Sequence, residues 1–331
     1  MKKKQKIVTI GGGSGSFMVL FGLKNLPVGL SAVVNMTDDG GSSGVLRDEL
    51  GVLPPGDVRQ CLVALSKSSQ VLRKLFNYRY GRGGFKGHAF GNLFLSTLEK
   101  VSGGFDRAVS EAGKILRIGG RVLPVTLKNT RLVAEFKNGI KIIGESKIYV
   151  NSPSLADLKE FYLKPPAALN PEVRSAIGAA DKIIICPGDL YSSLIPNFLV
   201  KGMPEALARA RAKIIYVVNL MTKPGQTDGF TTVDYVKTIE KYLEPGTIDC
   251  VIYNKAKPNE KLLKKYSRQG ESLVKPGDFS LLPKIKFLGD NLLSRKINRA
   301  VKGDTLAGFR SLIRHDSDKL AKIIYNYESN F

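Results

Sequence analysis

Residues 6–16, KIVTIGGGSGS, consist of a short apolar run followed directly by a glycine-rich turn. The run at 6–10 predicts a buried β-strand, and apolar residues at helical spacing over 17–25 predict a helix after the turn. Residues 31–37 (SAVVNMT) predict a second strand, which ends at Asp38-Asp39-Gly40-Gly41. Strand, helix and strand in this order, at short spacing, are typical of a parallel βαβ unit.

The remainder of the chain extends this pattern, with one interruption. Alternating apolar and polar residues around an Asn138-Gly139 turn predict a small antiparallel hairpin insertion at about 121–150. We therefore predict a single α/β domain over residues 1–331: a three-layer Rossmann-like parallel sheet with helices on both faces and that insertion. The other predicted helices lie at 57–66, 71–78, 90–101, 105–117 and 317–327, the last beginning at Asp316 or Ser317, and the other parallel strands at 182–186, 213–219 and 249–254.

Composition places the protein in the cytoplasm. Hydrophobic residues make up 43% of the 331, but no apolar run approaches the ~20 residues that cross a bilayer. The basic amino terminus leads into a strand and not into the apolar segment of a signal peptide. The three cysteines, Cys61, Cys186 and Cys250, are far apart with no CxxC pair, which argues against disulfides and a structural zinc site.

The net charge of +22 has three interpretations. The excess lies in residues 1–150 and 255–331, whereas residues 151–254 are balanced. It is largely spread as single lysines, which fits a solvated basic surface, although a basic cleft would also concentrate small anionic ligands. Nucleic-acid binding rests on net charge alone, because no aromatic platform or recognition motif accompanies it.

The glycine motif is the first candidate site. Backbone amides in such a turn, with the N-terminus of the following helix, suit a phosphate, although plain turn geometry is the alternative. Ser16 stands where the dinucleotide-binding fingerprint needs glycine, and no Gly-Lys-Ser/Thr follows as in a Walker A loop. The candidate ligand contacts here are Gly12, Gly13, Ser14 and Gly15.

The segment after the second predicted strand is the next candidate. Asp38 and Asp39, with Gly40, are suited to a hydrated Mg²⁺ or to sugar hydroxyls, or else one aspartate caps a helix or turn. Adjacent side chains in extended backbone point opposite ways, so we expect one of the pair to face the ligand. In LPPGDVR, Arg59 is a candidate phosphate contact and Asp57 a candidate helix cap.

Three further polar segments are candidates for the same edge of the predicted sheet. GHAFGN contributes His88 as a pocket residue or a helix-start residue, together with Asn92. Ligands of open α/β sheets bind outside the carboxyl ends of the strands, and several such loops at one edge are stronger evidence than any single loop. The loops after the strands at 182–186 and 213–219 add Gly188, Tyr191, Ser192, Asn219, Met221 and Thr222.

Together the segments GGGSGS, TDDGGSSG, LPPGDVRQCLVALS, GHAFGN, PGDLYSSLIPN, NLMTKPGQTDGF and IRHDS resemble the 2-phospho-L-lactate transferase family, in order, over residues 6–327. Within that family the chain is most similar to the bacterial gluconeogenesis factor branch. The resemblance implies a Rossmann-like fold and assigns Arg314 to a diphosphate. The family's pocket positions match Gly12, Gly13, Gly15, Asp38, Asp39, Asn92, Tyr191, Asn219 and Thr222.

The resemblance implies two functions and leaves open whether a reaction is catalysed. The gluconeogenesis factor branch binds UDP-sugars and is linked to cell shape and wall synthesis, which implies self-association and cell-wall precursor enzymes as partners. The alternative is an Mg²⁺-dependent transferase of phospholactate from a nucleotide-diphosphate donor, with Asp38 and Asp39 as metal ligands. Asp189, Lys223 and Gln226 depart from the family pattern of Ser, Gln and Glu. Either the charge changes at Asp189 and Gln226 offset each other, or the ligand differs from the family's usual one.

Overall fold

A computed structural model describes residues 4–151, 155–294 and 312–327. Seven strands form one parallel sheet in the order β10-β9-β8-β7-β1-β2-β3, and three form a separate antiparallel sheet in the order β5-β4-β6. The strands are β1 (Gln5–Gly11), β2 (Val28–Val34), β3 (Arg121–Pro124), β4 (Arg131–Phe136), β5 (Lys141–Ile143), β6 (Leu158–Lys164), β7 (Lys182–Ile185), β8 (Lys213–Val217), β9 (Cys250–Asn254) and β10 (Lys286–Asp290).

Helices connect successive parallel strands and cover the sheet, so that the central strands are buried on both faces. In the described part of the chain, no helix has the length and apolar character to cross a membrane. The helices are α1 (Gly13–Leu23), α2 (Gly41–Leu50), α3 (Gly56–Leu65), α4 (Gln70–Asn77), α5 (Phe90–Ser102), α6 (Phe105–Ile115), α7 (Glu145–Asn151), α8 (Pro171–Gly178), α9 (Ile195–Phe198), α10 (Met203–Ala208), α11 (Thr232–Glu240), α12 (Glu260–Ser267) and α13 (Ser317–Asn326).

The predicted fold class is confirmed, because the parallel sheet, its helices and the small antiparallel sheet are all present. Strands β1, β7, β8 and β9 fall within two residues of their predicted bounds, and Asp316 caps α13 by accepting from the backbone of Asp318 and Lys319. The Asn138-Gly139 turn joins β4 to β5, with Gly139 at φ 83°. These elements have the clearest local signals: β-branched runs, a cap and a two-residue turn.

The predicted insertion boundaries are wrong. Residues 121–124 form β3, which pairs in parallel with β2 at the edge of the main sheet, and the antiparallel sheet spans 131–164. The stretch 140–150, predicted as one strand, forms the short β5 and then begins α7. Strands β6 and β10 carry many polar residues and are not predicted by their sequence pattern.

Two corrections near the glycine motif affect the site. Helix α1 begins at Gly13, four residues before the predicted start, so the glycines form its first turn. Residues 41–50, whose GSSG start indicates a loop, form helix α2. These glycines and serines have low helix propensity, and a Cβ on Gly44 would lie 2.1 Å from the Asp39 carbonyl oxygen, so the close approach at this helix start requires glycine.

Candidate functional site

The carboxyl ends of β1, β2, β7 and β8 lie side by side, and the loops that follow them form a continuous rim. At its centre is the first turn of α1. Gly13 has φ 63°, a left-handed value that favours glycine. A Cβ on Gly15 would lie 1.8 Å from the Pro187 carbonyl oxygen, so only glycine allows α1 to sit this close to the loop after β7.

Asp57 occupies the glycine turn. A Cβ on Gly12 would lie 2.0 Å from Asp57 Oδ2, and the carboxylate accepts a hydrogen bond from the Gly13 backbone N–H. The prediction that Asp57 caps a helix is wrong: Pro55 is the N-cap residue of α3, and no side-chain capping bond is present there. The backbone donor that a phosphate would use is therefore engaged by a carboxylate in this structure.

Asp38 lies beside Asp57. It accepts from the Gly40 backbone N–H at 2.9 Å, and a Cβ on Gly56 would lie 2.7 Å from Asp38 Oδ2. Desolvation, and next the Asp38 charge, raise the pKa of Asp57 to about 7. Burial likewise raises the pKa of Asp38. The two carboxylates thus share a site in which ionising both is unfavourable.

Asp39 is directed away from Asp38 and holds the antiparallel insertion. Its Oδ1 accepts from the Ser146 backbone N–H at 2.8 Å and from the Ser146 hydroxyl, and its Oδ2 lies 3.6 Å from Arg131. A Cβ on Gly144 would lie 2.3 Å from Asp39 Oδ2, so α7 begins directly against this carboxylate. As expected for adjacent residues, the pair points two ways; Asp57, not Asp39, is the partner of Asp38 at the rim.

Arg59, Asn92 and His88 belong to one hydrogen-bonded chain. Arg59 is buried and donates from Nε to Asn92 Oδ1 at 2.8 Å and from its terminal nitrogen to Asn77 Oδ1. Asn92 Nδ2 donates to Ser42 Oγ at 3.1 Å, and Ser42 Oγ lies 3.1 Å from His88 Nδ1. The chain joins α2, α3 and α5 beneath the rim. His88 precedes the first residue of α5 by two positions, so it does not start that helix.

We expect Arg59→Lys to lower the free energy of unfolding by about 2 kcal/mol, because one ammonium cannot satisfy both Asn77 and Asn92. Affinity for a nucleotide diphosphate should change less than about threefold. Thermal unfolding and calorimetric titration measure the two effects, with the exposed Arg82→Lys as the control. A large loss of affinity at unchanged stability would instead support the predicted phosphate contact.

The loops after β7 and β8 are tied to one another. Gly188 N donates to Asn219 Oδ1 at 2.9 Å, and Asn219 Nδ2 donates back to the Gly188 carbonyl at 2.8 Å. Thr222 is buried, and its Oγ1 accepts from the Ser272 backbone N–H at 2.9 Å. Asn219 and Thr222 therefore shape the rim through loop contacts, and Met221 packs on a small apolar cluster around Tyr266.

The turn after β7 contains two predicted residues, Tyr191 and Ser192. The Tyr191 ring lies 5.6 Å from the Phe161 ring, centre to centre, and the Ser192 carbonyl accepts from Asn35 Nδ2 at 3.0 Å. Asp189 lies 3.7 Å from Lys223 Nζ. Two of the three departures from the family pattern thus form an ion pair, and Lys223, not Gln226, offsets the charge of Asp189.

Arg314 lies at the same edge of the sheet, beyond β8. Its carbonyl accepts from the Ser294 backbone N–H at 2.9 Å, and the adjacent His315 Nε2 lies 3.1 Å from the Val218 carbonyl oxygen just after β8. Burial lowers the pKa of His315 to about 4, so this imidazole is neutral at pH 7. The segment 312–316 is thereby fixed against the strand ends.

The structure also adds residues that the sequence pattern does not single out. Glu145 begins α7 and faces the loop after β8, and Arg47 is buried between α2 and the insertion, donating from Nε to Asn129 Oδ1 at 2.8 Å. Desolvation raises the pKa of Glu145 well above its ordinary value, with further contributions from Asp38 and Asp57. No local motif marks these positions, because their neighbours come from distant parts of the chain.

Comparison with known proteins agrees with this architecture. The sequence matches the 2-phospho-L-lactate transferase CofD family over residues 7–292. The gluconeogenesis factor of Bacillus subtilis is 37% identical over 327 residues, covering 98% of each chain, and a Thermotoga maritima relative is 43% identical over 320 residues, covering 96% of this chain and 98% of the relative. A crystal structure of a UPF0052 family protein from Bacillus halodurans superposes with a TM-score of 0.89 at 34% identity, over 98% of this chain and all of that one. The chain therefore belongs to the 2-phospho-L-lactate transferase CofD family.

Proposed function

We propose that this protein is a cytoplasmic UDP-sugar-binding regulator that links carbon metabolism to peptidoglycan synthesis and cell shape. UDP-N-acetylglucosamine and UDP-glucose are its proposed ligands. The ligand-bound protein would self-associate and act through cell-wall precursor enzymes. Binding, and not turnover, is the event that carries the signal.

The convergence of four strand-end loops around the first turn of α1 is the observation that carries this proposal. Backbone amides and the positive end of an eleven-residue helix lie in that turn, where a diphosphate would take the place of the Asp57 carboxylate on the Gly13 N–H. The relative named gluconeogenesis factor aligns along almost its whole length, so the rim loops are part of the similarity. Self-association and the wall enzymes rest on the family resemblance alone.

Calorimetric titration with UDP-N-acetylglucosamine, UDP-glucose and GDP, each with and without Mg²⁺, tests the proposal. Micromolar, metal-independent binding of the UDP-sugars in preference to GDP is the expected result. Absence of UDP-sugar binding under both conditions would refute it.

The Arg314→Ala variant should bind UDP-sugars about 10- to 100-fold more weakly than the wild type, because a charge-assisted hydrogen bond to a phosphate contributes about 1.5–3 kcal/mol. The measurement is the same titration, with thermal unfolding to verify the fold. Arg268→Ala, at an exposed arginine following α12, is the matched control. Unchanged affinity in Arg314→Ala would remove this residue from the site.

A transferase is the second candidate, and the Asp38–Asp57 pair favours it. Two neighbouring carboxylates with raised pKa values can be neutralised by Mg²⁺, which proteins often hold through one or two carboxylates plus the substrate's phosphates. Phosphoryl-linked transfer needs little beyond positioning and charge neutralisation. Mg²⁺-dependent binding of GDP together with consumption of a nucleotide-diphosphate donor would support it, and an intact donor after overnight incubation would exclude it.

A further inference from the structure

A cavity of about 70 Å³ lies between the antiparallel insertion and the rim. Its lining includes Glu145 of α7, Gln226 of the loop after β8, and Tyr191 and Ser192 of the turn after β7. A single water needs roughly 10–15 Å³ of such space, so the cavity has room for a chemical group larger than one water. We call it the Glu145–Gln226 cavity.

Two of the side chains in the cavity lining, Glu145 and Gln226, each carry a buried acceptor. Glu145 Oε2 and Gln226 Oε1 are both inaccessible to solvent, and neither has a hydrogen-bond partner among the described residues. Leaving a buried polar atom unsatisfied costs about 1–3 kcal/mol, so a native protein contains only a few such atoms, and here two of them belong to side chains that line one cavity. The pair indicates a missing donor.

The surroundings specify the chemistry of that donor. Apolar side chains, Leu132 and Ile148 among them, line the remainder of the cavity together with Tyr191. Burial and, next, the neighbouring carboxylates raise the pKa of Glu145 well above its ordinary value, which favours the neutral carboxyl over the carboxylate. Apolar walls with a few fixed polar groups suit a neutral group that bears hydroxyls on a carbon skeleton.

The cavity adjoins the proposed diphosphate site. Gly144 packs on Asp39, Ser146 donates to the same aspartate, and Ser192 accepts from Asn35 at the end of β2. Gln226 is also the one departure from the family pattern that is left unexplained once Asp189 and Lys223 are paired. A residue that differs from the family and faces a cavity beside the site is well placed to determine which ligand is selected.

We propose that the Glu145–Gln226 cavity is a specificity subsite that binds a neutral hydroxyl-bearing group of the ligand, with Gln226 Oε1 and the Glu145 carboxyl accepting from its hydroxyls. This inference rests on the proposed function, in which that group is the sugar of a UDP-sugar. The uridine diphosphate portion makes its contacts elsewhere on the rim.

Calorimetric titration of wild type, Gln226→Leu and Glu145→Leu with UDP, UDP-glucose and UDP-N-acetylglucosamine tests the subsite. Each variant should bind the UDP-sugars about 10-fold more weakly while its affinity for UDP stays within about twofold of wild type. Gln226→Leu should not lower the unfolding temperature, because it removes an unsatisfied acceptor. Gln70→Leu, at an exposed position on α4, is the matched control.

The possible outcomes distinguish a failure of the subsite from a failure of the proposed function. If wild type binds UDP and UDP-sugars but both variants retain the wild-type preference, the cavity holds only water and the subsite is refuted. Equal weakening of UDP and UDP-sugars also refutes it, since the two residues would then support the whole site. If wild type binds no UDP ligand at all, the proposed function itself fails.

Discussion

The Asp57→Asn variant is expected to unfold at a higher temperature than wild type at pH 8, by about 3 to 6 °C. In the folded protein the pKa of Asp57 is raised to about 7 from the ordinary value of 3.8 by burial and by Asp38. The folded state therefore binds more protons than the unfolded state between these values. Stability falls as the pH rises from about 4 to about 7, and the penalty is complete above that.

Asparagine removes the buried charge and keeps the shape, so the free energy of unfolding should rise by about 2–4 kcal/mol at pH 8 and by little at pH 4. The measurement is thermal unfolding of both proteins across this range. Asp106→Asn, at an exposed carboxylate on α6, supplies the control and should shift neither end of the range appreciably. A variant less stable than wild type at pH 8 would show that the ionised carboxylate stabilises the glycine turn.

The same substitution separates the two proposed functions. Asp57 holds the Gly13 backbone N–H, so a diphosphate binding at this turn meets a negative charge and an occupied donor. If the protein binds UDP-sugars without metal, Asp57→Asn should raise their affinity about 10-fold at pH 8. If Asp38 and Asp57 hold Mg²⁺ for a transferase, the variant should lose Mg²⁺-dependent binding. The sign of the change distinguishes regulator from enzyme.

The sequence predicts the secondary-structure elements that local composition determines, and it does not predict those that depend on contacts with other parts of the chain. The run before the glycine turn predicts β1, because a buried parallel strand is locally apolar. Helix α2 is missed, since its GSSG start has the composition of a loop and low helix propensity. Strand β3 is assigned to the insertion because its four residues cannot show that their partner is β2.

The candidate site is likewise predictable in part. That the loops after β1, β2, β7 and β8 meet is predictable, because parallel topology brings their carboxyl ends to one edge. Which side chains meet there is not predictable from one sequence. The pairing of Asp189 with Lys223, 34 positions away in the chain, and the position of Asp57 over Gly12 depend on loop conformations that no local pattern encodes.

Gly15→Ala should be the most damaging single-methyl change at the site, with a loss of about 3 kcal/mol in the free energy of unfolding. The new Cβ would lie 1.8 Å from the Pro187 carbonyl oxygen, a backbone atom that cannot rotate away. Helix α1 must therefore shift from the loop after β7. The shift separates the glycine turn from Gly188 and Asn219, so UDP-sugar affinity should fall more than 10-fold as well.

Two matched alanine variants distinguish the loss of stability from the loss of affinity. Both quantities are measured, by thermal unfolding and by titration. Gly178→Ala, at the end of α8, meets nothing within 4 Å and should be neutral or slightly stabilising. Gly120→Ala places a Cβ 2.8 Å from the Leu30 carbonyl oxygen, at the amino end of β3 and on the side of the sheet away from the rim. It should destabilise the protein but preserve affinity, because the rim stays in place. If Gly120→Ala and Gly15→Ala lower affinity equally, general destabilisation and not the α1–Pro187 contact accounts for the loss of binding.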